Sequence, residues 1–385
     1  MKVLSILGTR PEAVKMAPVI QALNSSAKIE SKVCVTAQHR EMLDQVLTLF
    51  KIKPDIDLNL MRPNQTLAGL TAQILEHLDP VLADEHPDWI LVQGDTTTVM
   101  AAALNAFYRG ILVGHVEAGL RTGDKFQPFP EEINRRIAGV TADLHFAPTS
   151  LSRENLLKEG VPDWRILVTG NPAIDALQQI SKMSPPTEIS KWIKKWKIEP
   201  GGRRLILVTA HRRENFGKPL EDICEGLKTL AFRYGESIRI VYPVHLNPNI
   251  QETVFKILGN VAGIELLPPM EYLPLIHLMK SATIVLTDSG GIQEEATGLG
   301  KPTLVLREKT ERPEGVTAGV LKIVGTDAGK IVAEATRLLD DHNAYQTMAH
   351  TENPFGDGHA AEKILKGLIQ FEAGRADTPI PHDDE

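Results

Sequence analysis

Short apolar runs alternate with amphipathic stretches along almost the whole chain, and that alternation leaves few architectures open. Val3–Leu7, Ser31–Thr36, Trp89–Gln93, Leu112–Val116 and Leu144–Ala147 read as buried strands. Between them, Val14–Leu23, Leu67–Leu78 and Thr97–Phe107 carry helical spacing. A strand covered by helices on both faces needs no polar alternation, so it reads as a continuous hydrophobic run. Strands alternating with helices predict βαβ units and a parallel sheet. The pattern restarts at Leu205–Thr209 and continues through Ile238–Val244, Ile264–Leu267, Thr283–Thr287 and Thr303–Leu306. Two such sets predict an α/β chain of two Rossmann-like domains facing each other across a cleft.

The join between the sets is visible as punctuation. Met183-Ser184-Pro185-Pro186 and Glu199-Pro200-Gly201-Gly202 interrupt the pattern. Trp192, Lys194, Lys195 and Trp196 lie between these breaks and read as a surface helix on a linker. The expected first domain covers residues 1–170, with a helix at about 360–373 crossing back to it. The expected second domain covers 171–359, and the polar segment 374–385 is expected to be a disordered tail. A length of 385 residues suits two domains, each with its own core.

Charge and cysteine content narrow the chemistry. The chain has 42 Lys+Arg against 49 Asp+Glu, a net charge of −7 with no basic block, which argues against a nucleic-acid partner. Its two cysteines, Cys34 and Cys224, both lie in apolar contexts and cannot build a thiolate metal site or a disulfide scaffold. The first apolar run breaks at Gly8, too early for a signal-peptide core. No stretch approaches the ~18–20 apolar residues of a membrane span. These features predict a cytoplasmic protein without a membrane partner.

In open parallel sheets, ligands gather at the carboxyl ends of the strands. The first strand ends in Gly8-Thr9-Arg10-Pro11-Glu12, followed by Lys15. Pro11 suits a first helical turn, and Arg10 and Lys15 put cations beside a helix N-terminus that itself favours an anion. A plain helix start with solvated charges is the blander alternative. Another strand ends in Gln93-Gly94-Asp95-Thr96, where Asp95 either caps the next helix or is available for chemistry. Glu117, in His115-Val116-Glu117-Ala118-Gly119, falls at a strand tip, where a carboxylate is costly unless paired or used. Glu131 and Arg135 stand four apart in a helix start and are expected to share a face, as a surface ion pair or as part of a site. Three acids at such positions point to proton transfer.

The second set supplies cations and a phosphate-type turn. His211 falls at a strand tip beside Arg212 and Arg213. Asp288-Ser289-Gly290-Gly291 leads into a helix bearing Glu295; the turn exposes N–H groups and a hydroxyl to a phosphate, and Glu295 can meet a ribose diol. Arg312 follows the next strand in Thr310-Glu311-Arg312-Pro313-Glu314. The turn lacks both the Gly-Lys-Ser/Thr of a Walker loop and a G-x-G-x-x-G fingerprint.

Taken jointly, GTRPEAVKMAPV, QHREMLDQ, VQGDTTT, HVEAGLRT, PEEINRR, TAHRREN, DSGGIQEEA and TERPEGV resemble the bacterial non-hydrolysing UDP-N-acetylglucosamine 2-epimerases. The likeness runs from Met1 to about Phe371. It implies a glycosyltransferase-B-type fold, a homodimer, no cofactor and no metal. It also implies reversible inversion at C2 between UDP-N-acetylglucosamine and UDP-N-acetylmannosamine, by elimination of UDP to 2-acetamidoglucal and re-addition, supplying precursors of bacterial surface polysaccharide. The same motifs suit a hydrolysing epimerase releasing UDP and free N-acetylmannosamine, or a non-catalytic UDP-sugar-binding regulator.

Carried over residue by residue, the resemblance assigns Asp95, Glu117, Glu131 and His211 to catalysis. Arg10, His211, Ser289, Gly290, Gly291 and Arg312 would hold UDP, with Glu295 on the ribose and Met270 and Leu275 near the base. Lys15 and Arg135 would stabilise charge in the cleft. Gln38, Gln65, Arg213 and His245 resemble an activating site for a second UDP-N-acetylglucosamine, which Glu131 borders. Asn64 stands where some regulated members carry arginine.

Overall fold

The structure, a computed structural model, describes residues 1–36, 40–60, 62, 65–199 and 201–375. It divides into two compact units, Met1–Ala176 with the chain from Gly356 onward, and Leu177–Phe355. These divisions fall at 176/177, inside the helix Pro172–Lys182, and at 355/356, a few residues from the expected 170/171 and 359/360.

The first unit is built on seven parallel strands: β1 (Lys2–Leu7), β2 (Glu30–Val35), β3 (Ile56–Asp57), β4 (Trp89–Gln93), β5 (Leu112–Val116), β6 (Leu144–Ala147) and β7 (Ile166–Val168). Their order is β3-β2-β1-β4-β5-β6-β7, with registers such as Leu7 opposite Val35 and Gln93 opposite Val116. The second unit has six: β8 (Arg204–Thr209), β9 (Ile238–Pro243), β10 (Ile264–Leu267), β11 (Ile284–Thr287), β12 (Thr303–Val305) and β13 (Leu321–Ile323), in the order β10-β9-β8-β11-β12-β13. In each sheet the strand order reverses once, between β1 and β4 and between β8 and β11. Such switch points open a crevice outside the carboxyl ends of the strands.

Burial explains the apolar runs. On one face of the first sheet Leu4, Ile6, Ile90, Val92 and Val113 pack with Leu70, Ile74, Leu78, Val99 and Ala102 of the covering helices. Ile206, Val208, Ile240, Ile284 and Leu286 form the equivalent layer of the second unit with Ile223, Leu227 and Ile331. Each fully buried aliphatic side chain contributes roughly 1.5–3 kcal/mol.

The helix Ala360–Arg375 packs on the first unit, where Trp89 Nε1 donates to Glu372 Oε1 at 2.7 Å and meets the Phe371 ring edge-on at 5.2 Å. Gly374 and Arg375, expected in the tail, complete this helix; residues 376–385 lie outside the described residues. The helix Thr187–Trp196 does not lie free on a linker: Trp196 is buried, with Trp192 stacked on it at 5.7 Å. Among the described residues, no helix is long and apolar enough to cross a membrane.

Candidate active site

The loops after β1 and β4 flank the first switch point, and Glu12 ties them together. The helix Arg10–Ser25 starts behind Thr9 with Pro11 in its first turn. Glu12 reaches back to accept the backbone N–H groups of Gly8 and Thr9 through Oε2, at 3.0 and 2.5 Å. This is the carboxylate half of a capping box. Its Oε1 accepts the Thr96 hydroxyl at 2.8 Å. Burial pushes the Glu12 carboxyl up to about 7, against the pull of those donors. A Cβ at Gly8 would overlap the Thr98 side chain, so glycine sets the closeness of the two loops. Arg10, half-buried at the start of the same helix, makes no ion pair among the described residues.

Thr96, not Asp95, caps the helix Thr97–Tyr108, its side chain accepting from Val99 N. Released from capping, Asp95 pairs with Arg135 of the helix Glu131–Thr141 in a close contact. Asn134 Nδ2 donates to the Asp95 carbonyl at 3.0 Å. Burial raises the Asp95 carboxyl above its ordinary range; Arg135 and Lys15 oppose the rise and Glu117 adds to it. Gly94, in the left-handed region at φ +81°, makes the turn into Asp95, and its carbonyl lies 2.7 Å from His115 Nε2.

Glu117 also adopts a left-handed backbone, φ +63°, which is uncommon for a residue with a side chain. Its carboxylate is buried and accepts from Lys15 Nζ at 2.5 Å, Asn171 Nδ2 at 2.8 Å and, in a close contact, Gln93 Nε2. Such strain is retained where its surroundings over-determine it, and it clusters at functional sites. Glu131 and Arg135 stand one turn apart on this helix, as expected, and the Arg135 guanidinium turns to other carboxylates. Arg135 bonds Asp95 and, at 3.3 Å, Glu132, while Glu131 lies half-buried in the helix's first turn. Lys15, Asp95, Glu117 and Arg135 thus form one cluster of alternating charge.

The second switch point carries the remaining groups. Asp288, fully buried after β11, accepts the backbone N–H groups of His211 and Arg212, each at 2.8 Å, and Asn215 Nδ2 at 3.0 Å. His211 is thereby fixed at the tip of β8, its ring stacked on His245 at 5.6 Å. Partial desolvation lowers the His211 imidazole below its usual range although the side chain is 41 % exposed, as do Arg212 and His245, while Asp288 opposes them. Ser289 occupies the N-cap of the helix Gly290–Gly298. A Cβ at Gly291 would meet nothing within 4 Å, so the helix start is open above it, and at Gly290 the first neighbour would be Arg312 at 3.7 Å. Arg312 is held by a close contact to Glu294, and its loop by Thr310 Oγ1 on Gln293 Oε1 at 2.6 Å. Glu295 is buried one turn into the helix, and Met270 and Leu275 are half-buried.

The remaining expected positions fall on both units. Gln65 bonds Gln73 at 2.6 Å and the Leu60 carbonyl at 3.1 Å, Arg213 is exposed in a short turn, and His245 belongs with His211. Gln38 and Asn64 lie outside the described residues. An apolar cavity of about 600 Å³, lined by Leu112, Leu144, Trp164 and Phe371, contains none of the expected site residues. Glu12, Gln93, His115, Asn171 and Asp288 escaped sequence reasoning. Only Glu12 had a local signal, the Thr-x-x-Glu spacing before an apolar helix.

Two parallel α/β units with charged groups at the carboxyl ends of their strands define a two-domain fold of the glycosyltransferase-B type. Residues 21–369 match the family described as UDP-N-acetylglucosamine 2-epimerase. The chain is 55 % identical over 373 residues to the UDP-N-acetylglucosamine 2-epimerase of Salmonella typhimurium, covering 96 % of this chain and 99 % of that one. The Neisseria meningitidis UDP-GlcNAc 2-epimerase, solved bound to UDP-GlcNAc, superposes with a TM-score of 0.89 at 49 % identity, over 96 % of this chain and 100 % of that one. A Methanocaldococcus jannaschii UDP-GlcNAc 2-epimerase, solved with UDP-GlcNAc and UDP, gives 0.80 at 34 % identity, over 96 % and 100 %. The chain belongs to the UDP-N-acetylglucosamine 2-epimerase family.

Proposed function

We propose that this enzyme interconverts UDP-N-acetylglucosamine and UDP-N-acetylmannosamine without hydrolysis, by elimination and re-addition of UDP. No carbonyl adjoins C2 within the ring, so a free C2 carbanion is too unstable to form. Elimination avoids it. The C2 proton leaves to a carboxylate as the C1–O bond breaks, its electron pair going to the diphosphate oxygen and a C1=C2 double bond forming. Re-addition returns UDP to C1 and a proton to the opposite face of C2.

The observation that carries this reading is the Lys15–Glu117 and Asp95–Arg135 cluster. It places two carboxylates together, one raised by burial and both balanced by cations. A carboxyl shifted toward neutrality is suited to moving a proton in either direction. Asp95 and Glu131 transfer the C2 proton, and Glu117 supports the sugar or shares that role. Arg10, His211, the Ser289–Gly291 turn and Arg312 stabilise the departing diphosphate, a role suited to preorganised donors. Glu295 takes the ribose, with Met270 and Leu275 beside the base.

The reading extends to a homodimer working in the cytoplasm and feeding bacterial surface-polysaccharide synthesis. It includes activation by a second UDP-N-acetylglucosamine at Gln38, Gln65, Arg213 and His245. Incubation in deuterium oxide tests the chemistry. Deuterium should enter C2 of recovered sugar nucleotide while UDP stays attached. Retention of the C2 proton excludes elimination, and accumulation of free N-acetylmannosamine indicates the hydrolysing enzyme instead. For activation, turnover of pure UDP-N-acetylmannosamine should show a lag that added UDP-N-acetylglucosamine removes; simple hyperbolic kinetics would exclude it.

A further inference from the structure

Asp288 does two different things with its two oxygens. Oδ2 is saturated by the His211 and Arg212 N–H groups and by Asn215, which also donates to the Leu306 carbonyl at 3.2 Å. Oδ1 is equally buried but has no hydrogen bond, and it stands 3.6 Å from His211 Nδ1. A buried carboxylate oxygen without a donor is costly, and a small ring rotation of His211 would supply one. The backbone of His211 is already anchored to the same carboxylate, so that rotation needs no loop movement.

We infer that Asp288 is a positioning residue for the reaction, holding His211 with its proton on Nδ1 so that Nε2 is turned to the diphosphate. This rests on the reading of His211 as a group acting on the leaving phosphate. When protonated, His211 gives Nε2–H to the departing oxygen as that oxygen takes the electron pair of the C1–O bond. When neutral, it keeps Nδ1–H toward Asp288. The charged and titratable groups around the ring are Asp288 from the loop after β11, Arg212 beside it and His245 from the segment after β9. Of these only Asp288 favours the imidazolium.

The variant Asp288→Asn separates the roles. The Asn carbonyl can still accept the three Oδ2 donors, keeping the loop in place. Its NH₂ then faces Nδ1, which must accept, and the proton moves to Nε2; the same logic holds in Ser-His-Asp triads. We expect kcat to fall roughly 10²-fold or more, KM to change less than about threefold, and the limb of the pH profile belonging to His211 to shift to lower pH. Long-range ¹H–¹⁵N correlation of wild-type His211 should report the Nδ1–H tautomer, and that of the variant Nε2–H. An Nε2–H tautomer in the wild type overturns the inference even if the variant fails to fold. His211→Gln distinguishes the two ideas. Undiminished kcat there removes the reading of His211, whereas loss there with wild-type kcat and pH profile in Asp288→Asn removes only the role of Asp288.

Discussion

Lys15 Nζ and Glu117 Oε1 lie 2.5 Å apart although 102 positions separate them. The pair joins the first turns of the helix after β1 to the tip of β5, across the point where the strand order reverses. Its side chains are 16 % and 5 % exposed, so solvent screens it little. Removing one partner of such a pair is costly, because the other charge stays in place. Glu117→Gln should therefore destabilise the protein by roughly 1–3 kcal/mol in urea unfolding and lower kcat. Adding Lys15→Met should restore much of the stability and none of the activity. A double variant as unstable as the single one would refute the pairing as the source of the loss.

Asp95 and Arg135 make the second contact of the cluster, and proton transfer gives Asp95 a sharper test. Asp95→Asn should lower kcat by roughly 10²–10⁴-fold. Burial raises the Asp95 carboxyl, so the base form is lost at a higher pH than for an ordinary aspartate. The acidic limb of kcat/KM in the wild type should lie above the usual carboxylate range. Unimpaired turnover in the variant would remove Asp95 from the chemistry.

Which parts of this arrangement were legible in the sequence follows from where the information resides. The central strands announce themselves because both of their faces are buried, and their bounds shift by about one residue. β3, β7 and β13 were missed: they are two or three residues long, and Val168 and Lys322 are exposed, so no apolar run marks them. Strand-tip acids were visible as misplaced charges, but their partners were not. Arg135 is as well spaced for Glu131 as for a surface pair, and nothing local shows that it turns to Asp95. Asp288 reads as the first residue of a phosphate-type turn, while its donors come from His211, Arg212 and Asn215, more than 70 positions away.

Glu12 offers a test with the opposite pH sense from ordinary carboxylates. Its folded-state value is about 7 against 4.5 unfolded, so the native state binds the proton more tightly. The stabilisation from a neutral Glu12 is present below pH 4.5 and is lost as pH rises through about 7, a difference of roughly 3 kcal/mol. Glu12→Gln should keep the geometry, its carbonyl accepting from Gly8 and Thr9 and its NH₂ donating to Thr96 Oγ1. Urea unfolding at pH 5 and pH 8 should show the variant gaining on the wild type at the higher pH. Parallel profiles would mean that Glu12 is not held above its ordinary range.

His115 and His145 face each other in register on β5 and β6, and both are buried. Burial pushes them down to about 4 and about 3, from 6.5. A depressed folded value means that each contributes stability above pH 6.5 and loses it as pH falls through 4 to 3, opposite in sign to Glu12. Acid unfolding should thus be driven by this pair. His145→Leu should shift the acid midpoint downward while leaving kcat near wild type, since among the described residues no hydrogen bond ties its ring to the site residues. His115→Leu should shift the midpoint too, but it also removes the 2.7 Å contact with the Gly94 carbonyl that steadies the turn into Asp95. Its kcat should fall by about tenfold, a loss of roughly 1.4 kcal/mol. Equal kcat in the two variants would show that the Gly94 contact does not hold Asp95 in place.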